Sequence, residues 1–167
     1  SNLYVGTEGT GTLNVTDGGV VANAYGLIGL NSGSTGEATV AGAGSQWNNS
    51  FELRVGHEGT GTLNVTDGGV VANTYGYIGL NSDSTGEATV AGAGSQWNNS
   101  FDLRVGFSGT GTLNVTDGGV VANTSGFIGY NADSTGEATV TGAGSQWNNH
   151  QVIVGRSGTG TLNVTDG

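Results

Sequence analysis

Short runs in which apolar and polar residues alternate recur along the chain, separated by glycines. In residues 12–16, Leu13 and Val15 alternate with Thr12, Asn14 and Thr16. A period of two sends the apolar set to one face and the polar set to the other, the mark of a half-buried β-strand. The same five letters return at 62–66, 112–116 and 161–165, and a related run, Glu37-Ala38-Thr39-Val40, returns at 87–90 and 137–140. Glycine pairs and Asp-Gly steps close each run, which is the chemistry of turns with positive φ. No stretch carries the 3.6-residue period of a helix, so an all-β fold is expected.

The runs belong to a 50-residue unit. GTGTLNVTDGG begins at Gly9, Gly59 and Gly109 and returns shortened at Gly158, and STGEATV leads to GAGSQWNN from Ser34, Ser84 and Ser134. Residues 1–50 and 51–100 agree at 43 of 50 positions, and a period of this size marks a solenoid, propeller or other array. Each unit holds two related halves. The Val/Ile-Gly steps at Val5, Ile28, Val55, Ile78, Val105, Ile128 and Val154 are 23, 27, 23, 27, 23 and 26 residues apart, so one coil takes about 25 residues. Strands this short cannot bury a face alone, so coils must stack at ~4.8 Å each. The expected fold is a three-sided parallel β-helix, right-handed by the rule for parallel crossovers, with a 50-residue double-coil repeat. It forms one domain over 1–167, with repeats 1–50, 51–100 and 101–149 and a partial repeat 150–167. Because it opens and closes inside a repeat, the chain is expected to be cut from a longer array.

Aligning the halves, 25 residues apart at every step but the last, predicts which side chains lie over one another. Val15, Val40, Val65, Val90, Val115, Val140 and Val164 form an inward ladder, and Leu13, Ala38, Leu63, Ala88, Leu113, Ala138 and Leu162 a second. The same offset stacks Ala22, Trp47, Ala72, Trp97, Ala122 and Trp147, so leucine coils carry alanine and alanine coils carry tryptophan at nearly constant core volume. It also predicts an amide ladder of Asn23, Asn48, Asn73, Asn98, Asn123 and Asn148.

Composition narrows the function classes. Thirty-five glycines with no proline, methionine or cysteine describe a repetitive backbone without disulfides, and the glycines lack collagen's three-residue period. A net charge of −10 disfavours nucleic acid and anionic membranes as partners. No apolar run is long enough to span a bilayer as a helix, so no membrane insertion is expected of this segment.

The strings VG-x-x-GTGTLNVTDGG-x-V and IG-x-x-x-x-STGEATVAGAGSQW resemble the glycine-rich repeats of bacterial autotransporter (type V secretion) passengers, and similar repeats occur in surface proteins with exosortase sorting tails. The resemblance covers essentially the whole chain. It implies a parallel β-helix displayed outside the cell, at the bacterial surface, as a stalk or adhesin. The absence of cysteine fits passengers that cross the envelope unfolded. The resemblance transfers no catalytic residue.

Outward positions offer one candidate for recognition. The residue before each Val/Ile-Gly step reads Tyr4, Leu27, Arg54, Tyr77, Arg104, Phe127 and Ile153, which stacks arginines between aromatic rings. Glu52 and Asp102 stand two residues before Arg54 and Arg104 on the same face, placed to pair with them. A neighbouring corner ladder reads Thr7, Leu30, His57, Leu80, Phe107, Tyr130 and Arg156. This edge is either a self-satisfied surface ladder or an interaction stripe for glycans, proteins or a second rod. Trp47, Trp97 and Trp147 read as core rather than as a sugar platform.

Other chemistry is thin. The 81–86 and 131–136 loops imitate the first half of a calcium loop through Asp83 and Asp133, but Gly33 breaks the series and no glutamate closes it, so no cofactor is expected. Alternation of Thr12 with Glu37 interrupts any flat threonine plane of the ice-binding kind. His57 and His150 occupy different repeat positions, and Asp17, Asp67, Asp117 and Asp166 recur two coils apart, so no acid–base cluster forms and no enzyme is expected. The chain reads as a structural spacer that partners itself by axial stacking or lateral bundling.

Overall fold

The alternating runs form strands, and the chain bends at its glycines. The structure is a computed structural model that describes residues 1–166. On the first face, Thr10–Val15, Thr35–Ala41, Thr60–Thr66, Thr85–Ala91, Thr110–Thr116, Thr135–Thr141 and Thr159–Thr165 stack in chain order as a seven-stranded sheet. The other two faces share an eleven-stranded sheet. In Val20–Ile28 and Gln46–Val55 they run together as one long strand. Later coils split them, as Val70–Asn73 then Tyr75–Ile78, and Gln96–Asn99 then Asp102–Val105. Neighbouring coils pair in parallel throughout, so the molecule is a three-sided β-solenoid.

Both predicted ladders of the first face are present. Val15 faces Val40, Val40 faces Val65, and the series runs on to Val164, while Leu13 faces Ala38 and Leu63 faces Ala88. Val40, Val65, Val90, Val115, Leu63 and Leu113 are fully buried. Each such side chain contributes roughly 1.5–3 kcal/mol by leaving water, a gain realised only when the next coil covers it. Val164, on the last strand, remains exposed.

On the second face the uniform offset fails by one residue. Trp47 lies over Val21 and under Val71, and Trp97 lies between Val71 and Val121, whereas Ala22 and Ala72 face Asn48. The alternation is therefore tryptophan with valine, and Ala22, Ala72 and Ala122 lie on the outer side. The amide ladder moves with it. Asn23 pairs with Asn49, Asn73 with Asn99, while Asn48, Asn98 and Asn148 point away from the core. The cause is unequal corners. From Val40 to Trp47 the chain takes one residue more than from Val15 to Val21, because the 42–45 corner is longer than the Asp-Gly-Gly corner it covers. The alternating 23- and 27-residue steps place the remaining extra residues in the 31–34 loop and at Phe51.

The corners themselves follow from backbone chemistry. Asp17 (φ 54°) and Gly18 (φ 78°) both take the left-handed conformation, and the Gly19 N–H donates to the Thr16 carbonyl at 2.8 Å, a type I′ turn. Asp is among the few residues with a side chain that enter this region readily. The covering corner ties itself down through a serine: the Gly18 N–H donates to Ser45 Oγ at 3.1 Å, repeated by Gly68 to Ser95 at 3.1 Å and Gly118 to Ser145 at 3.0 Å. At the Val-Gly corner, Gly106 combines φ 70° with a close approach in which a Cβ would overlap the Thr135 carbonyl. Side chains are barred there by both conformation and space.

Candidate interaction surface

The third face carries the outward ladder as the sequence predicts. Tyr4 stands over Leu27, Leu27 over Arg54, Arg54 over Tyr77, Tyr77 over Arg104 and Arg104 over Phe127. The corner ladder runs beside it, since Leu30, His57, Leu80, Phe107, Tyr130 and Arg156 each donate a backbone N–H to the glycine of the coil beneath. Leu27 departs from expectation: it is 5% exposed yet outside the central core, so neighbouring outer side chains cover it.

The two ladders converge on Arg104. Its guanidinium carbon lies 5.1–5.8 Å from the ring centres of Tyr77, Phe107, Phe127 and Tyr130. Phe107 stacks on Tyr130 at 4.9 Å and meets Tyr77 edge-on at 5.5 Å. Nη2 reaches Asp102 at 2.7 Å and Nη1 donates to the Tyr77 hydroxyl at 2.7 Å. A guanidinium stacks on rings while spending its edge on hydrogen bonds, which an ammonium cannot do. Nε has no partner among the described residues. Arg156 extends the cluster, 4.3 Å from the Tyr130 ring centre.

Arg54 occupies the equivalent place one repeat earlier with poorer company. It pairs with Glu52 at 2.6 Å, and Nη1 approaches His57 Nδ1 at 3.5 Å. Burial, reinforced by the Arg54 charge, holds the His57 imidazole below its usual range. Burial raises the Tyr77 phenol above its usual value despite the opposing charge of Arg104. Both arginines thus have their predicted acid, and the stripe is largely satisfied from within. What remains for a partner is the outer ring surface.

The tryptophan row lies inside. Trp47 and Trp97 are fully buried, and Trp147 is partly buried against the core. Their indole N–H groups donate to Asn23 (2.7 Å), Asn73 (2.6 Å) and Asn123 (2.6 Å), whose own amides donate to Asn49, Asn99 and Asn149. Each 50-residue unit therefore holds one Trp–Asn–Asn chain that satisfies a polar group inside the core. The sequence reading missed it because Asn49, Asn99 and Asn149 are second members of Asn-Asn pairs, and the uniform offset selected the first.

Asp83 and Asp133 stand at φ 65°, where Gly33 has φ 78°, so the acid of the calcium-like loop sits at a backbone position that favours Gly, Asn or Asp. Among the described residues no three His, Asp or Glu side chains are grouped so as to hold a metal ion. His57 and His150 lie at different corners of the coil.

A second outer feature escaped the sequence reading. Tyr25 stacks on Phe51 and Tyr75 on Phe101, each pair 5.4 Å apart, and Phe51 and Phe101 are 53% and 52% exposed. Both phenylalanines are the extra residue at the bend between second and third faces, and the 27-residue step was the signal that a residue there stands outside the ladder. The third repeat lacks it, which accounts for its 26-residue step.

No protein-family model, curated protein or solved structure matches this chain.

Proposed function

We propose that this chain is a stiff extracellular spacer, a stalk segment of a bacterial surface protein. The observation that carries the reading is the unbroken inward valine ladder, closed by parallel hydrogen bonding through every coil of the first face. A core with the same contents in every double coil gives length without a preferred site, and each added unit contributes the same interface. The resemblance to autotransporter passengers and exosortase-sorted repeats supports display outside the cell. The sequence sets its recurring aspartates two coils apart and its two histidines at different repeat positions, which favours a mechanical role over catalysis. Electron microscopy of concatenated 50-residue units tests it: the rod lengthens by ~9.6 Å per unit. A length that does not grow linearly, or a flexible chain of beads, rejects the spacer.

A second reading has its own observation. The four rings around Arg104 form an aromatic patch of the kind found at interaction surfaces, which favours an adhesin whose Tyr77, Arg104 and Phe127 edge captures a glycan or protein. Glycan arrays comparing wild type with Arg54→Ala/Arg104→Ala separate the two, because a spacer gives signals indifferent to the substitutions.

A further inference from the structure

On the outer side of the second face a groove of about 440 Å³ runs along the solenoid axis, lined by Asn48, Ser50, Ala72, Thr74, Asn98 and Ser100 among others. Its walls carry amides and hydroxyls and no charged side chain. The alanines that the unequal corners turn outward leave the floor low. Asn48 and Asn98 are held in place by donating to Gln46 and Gln96 at 3.2 Å, a bond that uses one amide hydrogen and leaves the carbonyl oxygen and the other hydrogen for a ligand. The residues following Ser50 and Ser100 are the exposed Phe51 and Phe101, each braced by a stacked tyrosine. The rings stand outside the groove's lining, at the adjoining bend, in two of the three repeats, so that an amide wall and a phenyl beside it recur roughly 9.6 Å apart along the rod.

We infer that this groove binds a neutral, linear polysaccharide laid parallel to the axis, about one disaccharide per 50-residue unit. Three features select that ligand. Sugar hydroxyls both donate and accept, as Asn, Ser and Thr side chains do, while sugar C–H faces pack on aromatic rings. Anionic polymers are disfavoured by a chain carrying thirteen acids and three arginines. The two-coil repeat is close to the length of an extended disaccharide, so a long chain meets equivalent groups in register and gains from each. A second rod is the poorer occupant: amides, hydroxyls and alanines line the groove, whereas the centre of a stable protein interface is apolar and aromatic. The inference rests on the surface-display reading for its biological setting only, since binding can fail while the rod stays stiff.

The test uses the intact 167-residue chain with cellohexaose and chitohexaose as probes, their disaccharides as short controls and heparin as the anionic control, read by isothermal titration calorimetry. The expected result is binding of at least one hexasaccharide, at least tenfold tighter than its disaccharide, with heparin inert. Phe51→Ala/Phe101→Ala weakens hexasaccharide binding tenfold or more, Asn48→Ala/Asn98→Ala weakens it several-fold, and Thr10→Ala/Thr60→Ala, exposed on the first face, leaves it unchanged. Should the alanine pair fold poorly by circular dichroism, Phe51→Trp/Phe101→Trp serves instead and retains binding. Failure of wild type to bind either hexasaccharide overturns the inference. So does a phenylalanine pair whose loss changes only self-association in sedimentation, or a wild-type affinity lost with the threonines.

Discussion

The position of a single amide separates two registers that the sequence alone leaves equivalent. Asn73 accepts from the buried Trp97 indole and donates to Asn99 at 2.5 Å, whereas Asn48 faces outward and bonds only along its own strand among the described residues. Asn73→Ala strands the indole N–H in the core and is expected to cost about 1–3 kcal/mol in urea denaturation. Asn48→Ala is expected within about 0.5 kcal/mol of wild type. Equal losses at both positions would contradict the Trp–Asn–Asn chain. His57 supplies a pH dependence of definite sign. Its folded value is held below the 6.5 of a free imidazole, first by burial and then by Arg54. Between those two values the unfolded chain binds the proton and the folded chain does not, so stability falls as pH drops through 6.5 and levels off below the folded value. Thermal melts from about pH 7.5 to about pH 5.5 should show a steeper fall for wild type than for His57→Phe, which installs the residue found at position 107. Parallel curves would remove His57 from the account.

Among strands and corners, the glycine turns govern how closely coils approach. Gly106 sits at φ 70° with the Thr135 carbonyl where a Cβ would lie, so Gly106→Ala must shift the backbone of two coils. A loss of about 3 kcal/mol or more is expected, measured by calorimetric melting, because backbone strain and overlap act together. Asp67→Gly at the opposite corner keeps the type I′ geometry and should change stability by less than about 1 kcal/mol. A tolerated Gly106→Ala would mean that the spacing of the coils is looser than described. The serine bonds from Ser45, Ser95 and Ser145 explain why long and short corners alternate without leaving a gap: each longer corner offers its hydroxyl to a backbone N–H of the shorter one.

At the level of the rod, the 50-residue unit is the quantum of assembly. Deleting residues 51–100 brings Val40 over Val115 and Trp47 over Val121, contacts chemically identical to those already present. The shortened protein is expected to fold, with unchanged circular dichroism per residue and a rod shorter by ~9.6 Å in small-angle scattering. Its melting temperature should fall, because stability in such arrays grows with the number of neighbour interfaces. An unfolded deletion product would show that the repeats are not interchangeable.

What could be read from the letters is whatever depends on local chemistry and on a repeat that stays in phase. Alternation of Leu13 and Val15 with threonine and asparagine gave the strands, the Asp-Gly steps gave the corners, and the recurrence of Val15 at Val40 gave the stacking, since those positions are separated by a constant number of residues. The Arg54–Glu52 and Arg104–Asp102 pairs were legible for the same reason, being two apart on one strand. Phase is lost wherever stacked corners differ in length, and a one-residue difference exchanges the two sides of a strand. Which of Ala22 or Val21 covers Trp47, which asparagine holds the indole, and that Leu27 is covered while Phe51 is exposed were fixed by how the longer turns pack over the shorter ones in three dimensions. The same packing gathered four rings around Arg104 from two ladders that the linear chain keeps apart.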